Sequence, residues 1–237
     1  MSATTSGRAT DQAIAKIKEL ISSGEFTAGA RLPTERELTQ QFGVSRSSLR
    51  EAVRALALVG VLESRVGDGT YVTTLEPEQL LTGIGFVSDL VGGGSLLELH
   101  QVRRILEPEA TRLATSRLTD DALARLEECL RQMDVENSAQ PFIEADTAFH
   151  GVILDACGNP TLASLIQNLS SGTLRARMWQ ALVGEGAVEA TRASHRAIYD
   201  ALLARDANRA AAADLMHLAI AEEWLRQLLD DAETPSS

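Results

Sequence analysis

The chain has little of what extracellular and membrane proteins are built from. Of its 237 residues only two are cysteine, Cys129 and Cys157. They are too few and too isolated for a disulfide framework. Its apolar runs stop well short of the ~20 residues that a membrane-spanning helix needs. The opening stretch MSATTSGRAT lacks the charged and then apolar pattern of a signal peptide. A reducing cytoplasm is the expected home, with no membrane partner. Aromatic residues make up 4% of the chain, while Leu and Ala abound, which favours helices over sheets. The hydrophobic content of 44%, beside 23% charged residues, is enough to bury a core and too high for a disordered polymer.

Lysine is missing altogether from residues 75–237, and the charge of the chain is uneven. Residues 1–74 hold nine Lys and Arg against eight acids, while residues 75–237 hold thirteen Arg against twenty-five acids. The overall charge of −11 argues against a nucleic-acid binder only if the chain is one unit. A split into a near-neutral head and an acidic body points to two units with different partners.

The head, residues 8–74, reads as three helices and a hairpin. Ile14, Ile17, Leu20 and Ile21 recur at helical spacing over 10–22. Thr34 with Glu37 three residues on forms a capping box for a short helix carrying Leu38 and Phe42. Gly43-Val44 makes a tight turn, and Ser45 caps a helix that runs to the stop at Gly60. Val61-Leu62 and Tyr71-Val72 are strand-like and flank the turn Gly67-Asp68-Gly69. This is the element order of a winged helix-turn-helix.

A connector over 75–79 leads to a body, 80–230, in which helical patterns run at 78–92, 95–117, 119–136, 140–157, 160–183, 187–204 and 206–230. The fold class is therefore mainly α: a winged helix-turn-helix followed by an all-α bundle.

On a helical wheel of 46–60, Leu49, Ala52, Val53 and Leu56 gather on one side, with Arg46, Ser47, Arg50 and Arg54 across from them. An apolar back fixes the pose of a recognition helix, and an outward arginine face reaches base edges and phosphates. Arg36 on the preceding helix could brace the DNA backbone, and Gly67 and Gly69 allow a wing tip to approach it closely. The competing reading of the arginines is a solvated helix face, which the capping signals and the hairpin disfavour. Asp68 at the wing tip would repel phosphate.

In the body, Asp146 and His150 are four residues apart, inside a stripe that also carries Phe149 and Ile153. His195 is flanked by Ile198, Tyr199 and Leu202, and His217 by Ala213, Ile220, Ala221 and Trp224. Buried polar groups of this kind need partners. One solution serves all four: convergence on a divalent cation, Zn first, with Ni, Mn or Co as other choices. Its open positions could take a carboxylate. The plainer solution is a set of hydrogen-bonded core histidines. His100 reads as a surface residue, outside a stripe formed by Leu99, Val102, Leu106 and Leu113. Arg103, at the edge of that stripe, either holds an organic anion or pairs with Glu107.

Both units carry a resemblance. Leu32-Pro33-Thr34-Glu35-Arg36-Glu37-Leu38 and Phe42 through Ala52 resemble the DNA-binding domain of GntR-family bacterial regulators. That resemblance implies operator contacts at Arg36, Ser45, Arg46, Ser47, Arg50 and Gly67. Val102 through Pro108, Asp146-Thr147-Ala148-Phe149-His150, Ala156 through Pro160, His195 through Ile198 and Met216-His217-Leu218 resemble the FCD ligand-binding domain of the FadR subfamily. There the matching positions imply metal ligands at Asp146, His150, His195 and His217, and an effector contact at Arg103. The implied function is a homodimeric repressor that binds an inverted-repeat operator and answers to a small organic acid. The resemblance implies no enzymatic activity. A metal-dependent enzyme acting on organic acids, a direct metal sensor, and a purely structural metal beside an apolar effector are the alternatives.

Overall fold

The computed structural model describes residues 3–81, 94–135, 139–170 and 187–233, which divide into two units, Met1–Gly83 and Ile84–Ser237. In the first unit, helix α1 (Ala3–Ser22) starts earlier than the expected 10–22 and lays Ala13 and Ile17 into the core. Helix α2 (Glu35–Phe42) opens on the expected capping box: the Thr34 side chain accepts from the Glu37 amide, and the Glu37 carboxylate accepts from the Thr34 amide at 2.8 Å. It ends at Gly43, whose φ of 69° is the left-handed conformation that suits glycine. Helix α3 (Arg46–Leu58) is capped by Ser45, whose hydroxyl accepts from the Ser48 amide at 3.1 Å.

Strands β1 (Leu62–Arg65) and β2 (Gly69–Val72) pair antiparallel, with Leu62 opposite Val72 and Arg65 opposite Gly69. Arg31 adds a bridge to Tyr71, so the loop before α2 supplies a third extended segment. The core of this unit gathers Ala13, Ile17, Leu38, Phe42, Leu49, Leu56, Leu62 and Val72. A four-residue helix α4 (Pro77–Leu80) falls where the connector was expected.

The second unit is helical throughout its described residues: α5 (Gly94–Ala114), α6 (Asp120–Val135), α7 (Ala139–Ala156), α8 (Pro160–Leu169), α9 (Ala187–Leu203) and α10 (Ala207–Glu233). Most of the helix expected over 78–92, and the part of 160–183 beyond Ser170, lie outside the described residues. Its core holds Leu126, Met133, Phe149, Ile153, Ile166, Ile198 and Leu202. Helix α10 packs on both α5 and α9. Apolar faces and the short connections at 115–119, 157–159 and 204–206 set neighbouring helices side by side.

The orientation of α5 overturns one expectation. The buried stripe is Leu96, His100, Arg103, Glu107, Ala110 and Thr111, while Val102 and Ile105 are 40% and 74% exposed. His100 is therefore a buried residue and not a surface one. Its Nε2 lies 2.7 Å from the Leu218 carbonyl of α10, a group that can only accept, so the ring donates there. The polar side of α5 turns inward because α10 brings partners to it: Asp214 for Thr111, at 2.8 Å, and Glu222 for Arg104.

Candidate DNA interface and candidate metal centre

In the first unit, Leu49, Ala52 and Leu56 are buried, and Arg46, Ser47, Arg50 and Arg54 are exposed on the same helix. Arg36 on α2, Ser45 at the start of α3 and Gly67 in the wing are exposed as well. Three of these residues are already engaged. The Arg50 Nε donates to the Glu35 carboxylate at 2.9 and 3.0 Å. The Ser45 hydroxyl sits 2.8 Å from that of Ser47 besides capping the helix.

The wing is held from below. The Arg31 guanidinium donates to the Asp68 carbonyl, and at Gly69 a Cβ would stand 2.8 Å from the Arg31 Nε. Gly67 has a φ of 76°, a conformation open to glycine at little cost. The Asp68 carboxylate, which would otherwise face an approaching phosphate, accepts from the Tyr71 hydroxyl at 2.8 Å. A cleft of about 450 Å³ separates the wing from α3, with Thr34, Val53, Arg65 and Gly67 among its walls.

In the second unit, Asp146 and His150 on α7, His195 on α9 and His217 on α10 converge. One ligand atom from each lies within 4.8 Å of the others. The three histidines are 6%, 0% and 4% exposed. Phe149 closes one side, its ring edge-on to His195 at 5.1 Å between centroids. The His195 and His217 rings are 4.2 Å apart. Burial pushes the His217 imidazole well below its usual range, and the neighbouring imidazoles of His195 and His150 push the same way.

The contacts of His195 show what the cluster is short of. Its Nδ1 lies 2.9 Å from the Thr191 carbonyl, so that nitrogen carries the proton. In the neutral ring Nε2 then holds a lone pair. It lies 3.0 Å from Asp146 Oδ1 and makes no hydrogen bond. In that form a cation between the two atoms would take both as ligands.

Beside this cluster, Arg103 is 2% exposed, and its Nε donates to Glu107 at 2.6 Å. Burial alone would lower the guanidinium pKa, but the Glu107 carboxylate more than offsets it and raises the value. Both readings of Arg103 begin from this pair. Asp214, also fully buried, is pushed up to about 8 by burial and by the Glu107 charge. It was not singled out from the sequence. Its spacing of three residues from His217, on the same helix face, was the available signal. Ser194, whose hydroxyl is 2.8 Å from His217 Nδ1, gave no signal beyond adjacency to His195.

No helix among the described residues is long and apolar enough to cross a membrane.

Comparison with known proteins bears on both units. Residues 9–72 match the family model described as bacterial regulatory proteins, gntR family, and residues 98–220 match that of the FCD domain. The HTH-type transcriptional regulator LutR of Bacillus subtilis (strain 168) is 31% identical over 212 residues, 87% of this chain and 96% of that protein. The galactonate operon transcriptional repressor of Escherichia coli (strain K12) is 29% identical over 224 residues, 92% of this chain and 97% of that one. A solved structure, Streptococcus agalactiae GntR, superposes with a TM-score of 0.65 at 28% identity, covering 90% of this chain and 99% of that one. Its relatives are regulators of transcription and not enzymes, its head is a DNA-binding module, and its body is an effector domain. The chain belongs to the GntR family of bacterial regulators, in the FadR-like branch that carries an FCD domain.

Proposed function

We propose that this regulator is a repressor that releases its operator when a small carboxylate binds at a divalent metal held by Asp146, His150, His195 and His217. The observation that carries the reading is the convergence of these four side chains, one ligand atom from each within 4.8 Å of the others, with His195 Nε2 set 3.0 Å from Asp146 Oδ1. The donor set suits the group: three imidazoles and one carboxylate are borderline ligands for which zinc is the first choice, ahead of nickel, cobalt and manganese. A bound ion of this kind supplies open coordination positions that a carboxylate can fill.

The chain's own residues supply the rest. Arg103 offers a buried guanidinium, and an organic anion there competes with Glu107 for its donors. The name of the galactonate operon repressor supports sugar acids and related hydroxy acids as the class to screen first. On the DNA side, Arg46, Ser47 and Arg50 read the operator from α3. Arg36 and Ser45 contact its backbone, and Gly67 lets the wing approach. A homodimer would set two heads on the half-sites of an inverted repeat. If the acid binds the DNA-free arrangement better, its occupancy shifts the population away from the operator.

Elemental analysis of the purified wild type beside His150→Ala and His217→Ala tests the metal. About one equivalent in the wild type and loss in both variants is expected, and wild-type content in both variants would defeat the ligand set. A thermal-shift screen of small carboxylates with and without chelator tests the effector. Stabilisation that survives chelation would detach the acid from the metal.

A further inference from the structure

Two of the four converging side chains, His195 and His217, share a feature on their outer side. His195 Nδ1 and the Ser194 hydroxyl both end on one acceptor, the Thr191 carbonyl, at 2.9 and 2.7 Å. The Ser194 hydroxyl is also 2.8 Å from His217 Nδ1. A serine hydroxyl has one proton to give. Were it given to His217, the Ser194 and Thr191 oxygens would face each other at 2.7 Å with no hydrogen between them. The proton therefore goes to the carbonyl, and the Ser194 oxygen accepts from His217 Nδ1–H. That leaves the lone pair of the neutral His217 ring on Nε2, the nitrogen by which His195 faces Asp146.

We propose that Ser194, working with the Thr191 carbonyl, is a positioning residue of the candidate metal centre. It sets the tautomer of His217, as the carbonyl sets that of His195, so that both rings offer Nε2 as the ligand atom. The proposal rests on the reading of Asp146, His150, His195 and His217 as metal ligands. One turn of α9 does both jobs: Thr191 precedes His195 by four residues, so its carbonyl lies under that ring, and Ser194 reaches across to α10. An imidazole that must exchange tautomers before binding holds a metal less tightly, and outer hydrogen-bond partners of this kind are commonly worth 10–100-fold in affinity. The carbonyl cannot be removed by substitution. The hydroxyl can.

The decisive measurement is made on full-length, metal-stripped protein with ¹⁵N-labelled imidazoles. In the wild type, NMR should show His195 and His217 both protonated at Nδ1. In Ser194→Ala, His217 should move toward the Nε2–H form while His195 keeps its own. Zinc affinity, read by competition with a chromogenic chelator, should fall about 10–100-fold in that variant. Ser194→Thr, which keeps the hydroxyl, should restore both the tautomer and the affinity. A wild-type His217 protonated at Nε2 would overturn the proposal, as would a Ser194→Ala protein with unchanged tautomer and unchanged zinc competition. If the wild type takes up no zinc at all, the metal reading fails, and the tautomers of the stripped protein still decide the role of Ser194.

Discussion

In the N-terminal unit the Arg50–Glu35 pair stands in water, with 61% and 48% of the two side chains exposed. In the helical unit the Arg103–Glu107 pair has the same chemistry with 2% and 4% exposed. The first pair adds little to stability, because water solvates each partner nearly as well as they solvate each other. Arg50 can leave Glu35 for a guanine edge or a phosphate at small loss. The second pair has no such freedom. Each charge depends on the other, and a ligand that draws Arg103 away must compensate Glu107 as well. Exposed charge suits a surface that must meet many DNA sequences and let go of most. If Arg103 holds the effector as proposed, its buried charge suits a site that answers to few small molecules.

The contrast is broken most directly at Arg103. Arg103→Met leaves Glu107 buried without its guanidinium partner, which should cost about 3–5 kcal/mol of unfolding free energy. The double change Arg103→Met with Glu107→Leu should recover most of that loss, because it removes both charges and not one. Urea titrations of the three proteins decide it. A single variant as stable as the wild type would show that the pair is far better solvated than its exposure implies.

The next largest effect is on the acid side and belongs to His100. Burial, with the Arg103 charge, lowers its pKa from 6.5 to about 4. The unfolded chain therefore takes up a proton between those values that the folded ring refuses. Stability present above pH 6.5 is lost as the pH falls toward 4, by about 3 kcal/mol at most at 1.36 kcal/mol per pKa unit. His100→Gln keeps a donor for the Leu218 carbonyl and carries no titrating group. Its stability relative to the wild type should climb as the pH drops from 7 to 4.5. Parallel curves would mean that His100 takes up its proton in the folded state.

His100 also marks the limit of what can be read from a sequence. The head was legible because its determinants are local: the Thr34–Glu37 box, the Ser45 cap and the Gly43 turn each act within four residues. Helix α3 hides Leu49, Ala52 and Leu56 and shows its arginines, which is the assumption behind any helical wheel. The four converging residues were legible for the converse reason. Asp146, His150, His195 and His217 are polar groups inside apolar stripes, and they needed each other or an ion. Helix α5 defeats the same logic. Its buried face carries His100, Arg103, Glu107 and Thr111, while Val102 and Ile105 turn outward. The partners that make this possible, Asp214, Leu218 and Glu222, lie on a helix more than a hundred positions away. Hydrophobic periodicity cannot see charges that cancel across such a distance. Ser194 escapes notice for a related reason, since a serine in a helix has no patterned signature of its own.

On the exposed side the effects separate stability from function. Arg46→Ala should leave unfolding within about 0.5 kcal/mol of the wild type, since its side chain is exposed. Its operator affinity should fall by about 1–3 kcal/mol. Fluorescence anisotropy with a labelled operator gives the second number, at a stated salt concentration because phosphate contacts are screened. Equal affinity for specific and scrambled DNA in the wild type would remove α3 from the reading role altogether.

The smallest effect is the sharpest test of the contrast. A double-mutant cycle on Arg50→Ala and Glu35→Ala isolates the energy of the exposed pair, and about 0.2–1 kcal/mol is expected. The same cycle on Arg103 and Glu107 should return several times more. Raising salt should shrink the first coupling, because water and ions reach it, and leave the second nearly unchanged. Similar couplings with similar salt dependence would mean that burial does not distinguish the two pairs. The proposed division of labour between a DNA-facing surface and an effector site would then need another physical basis.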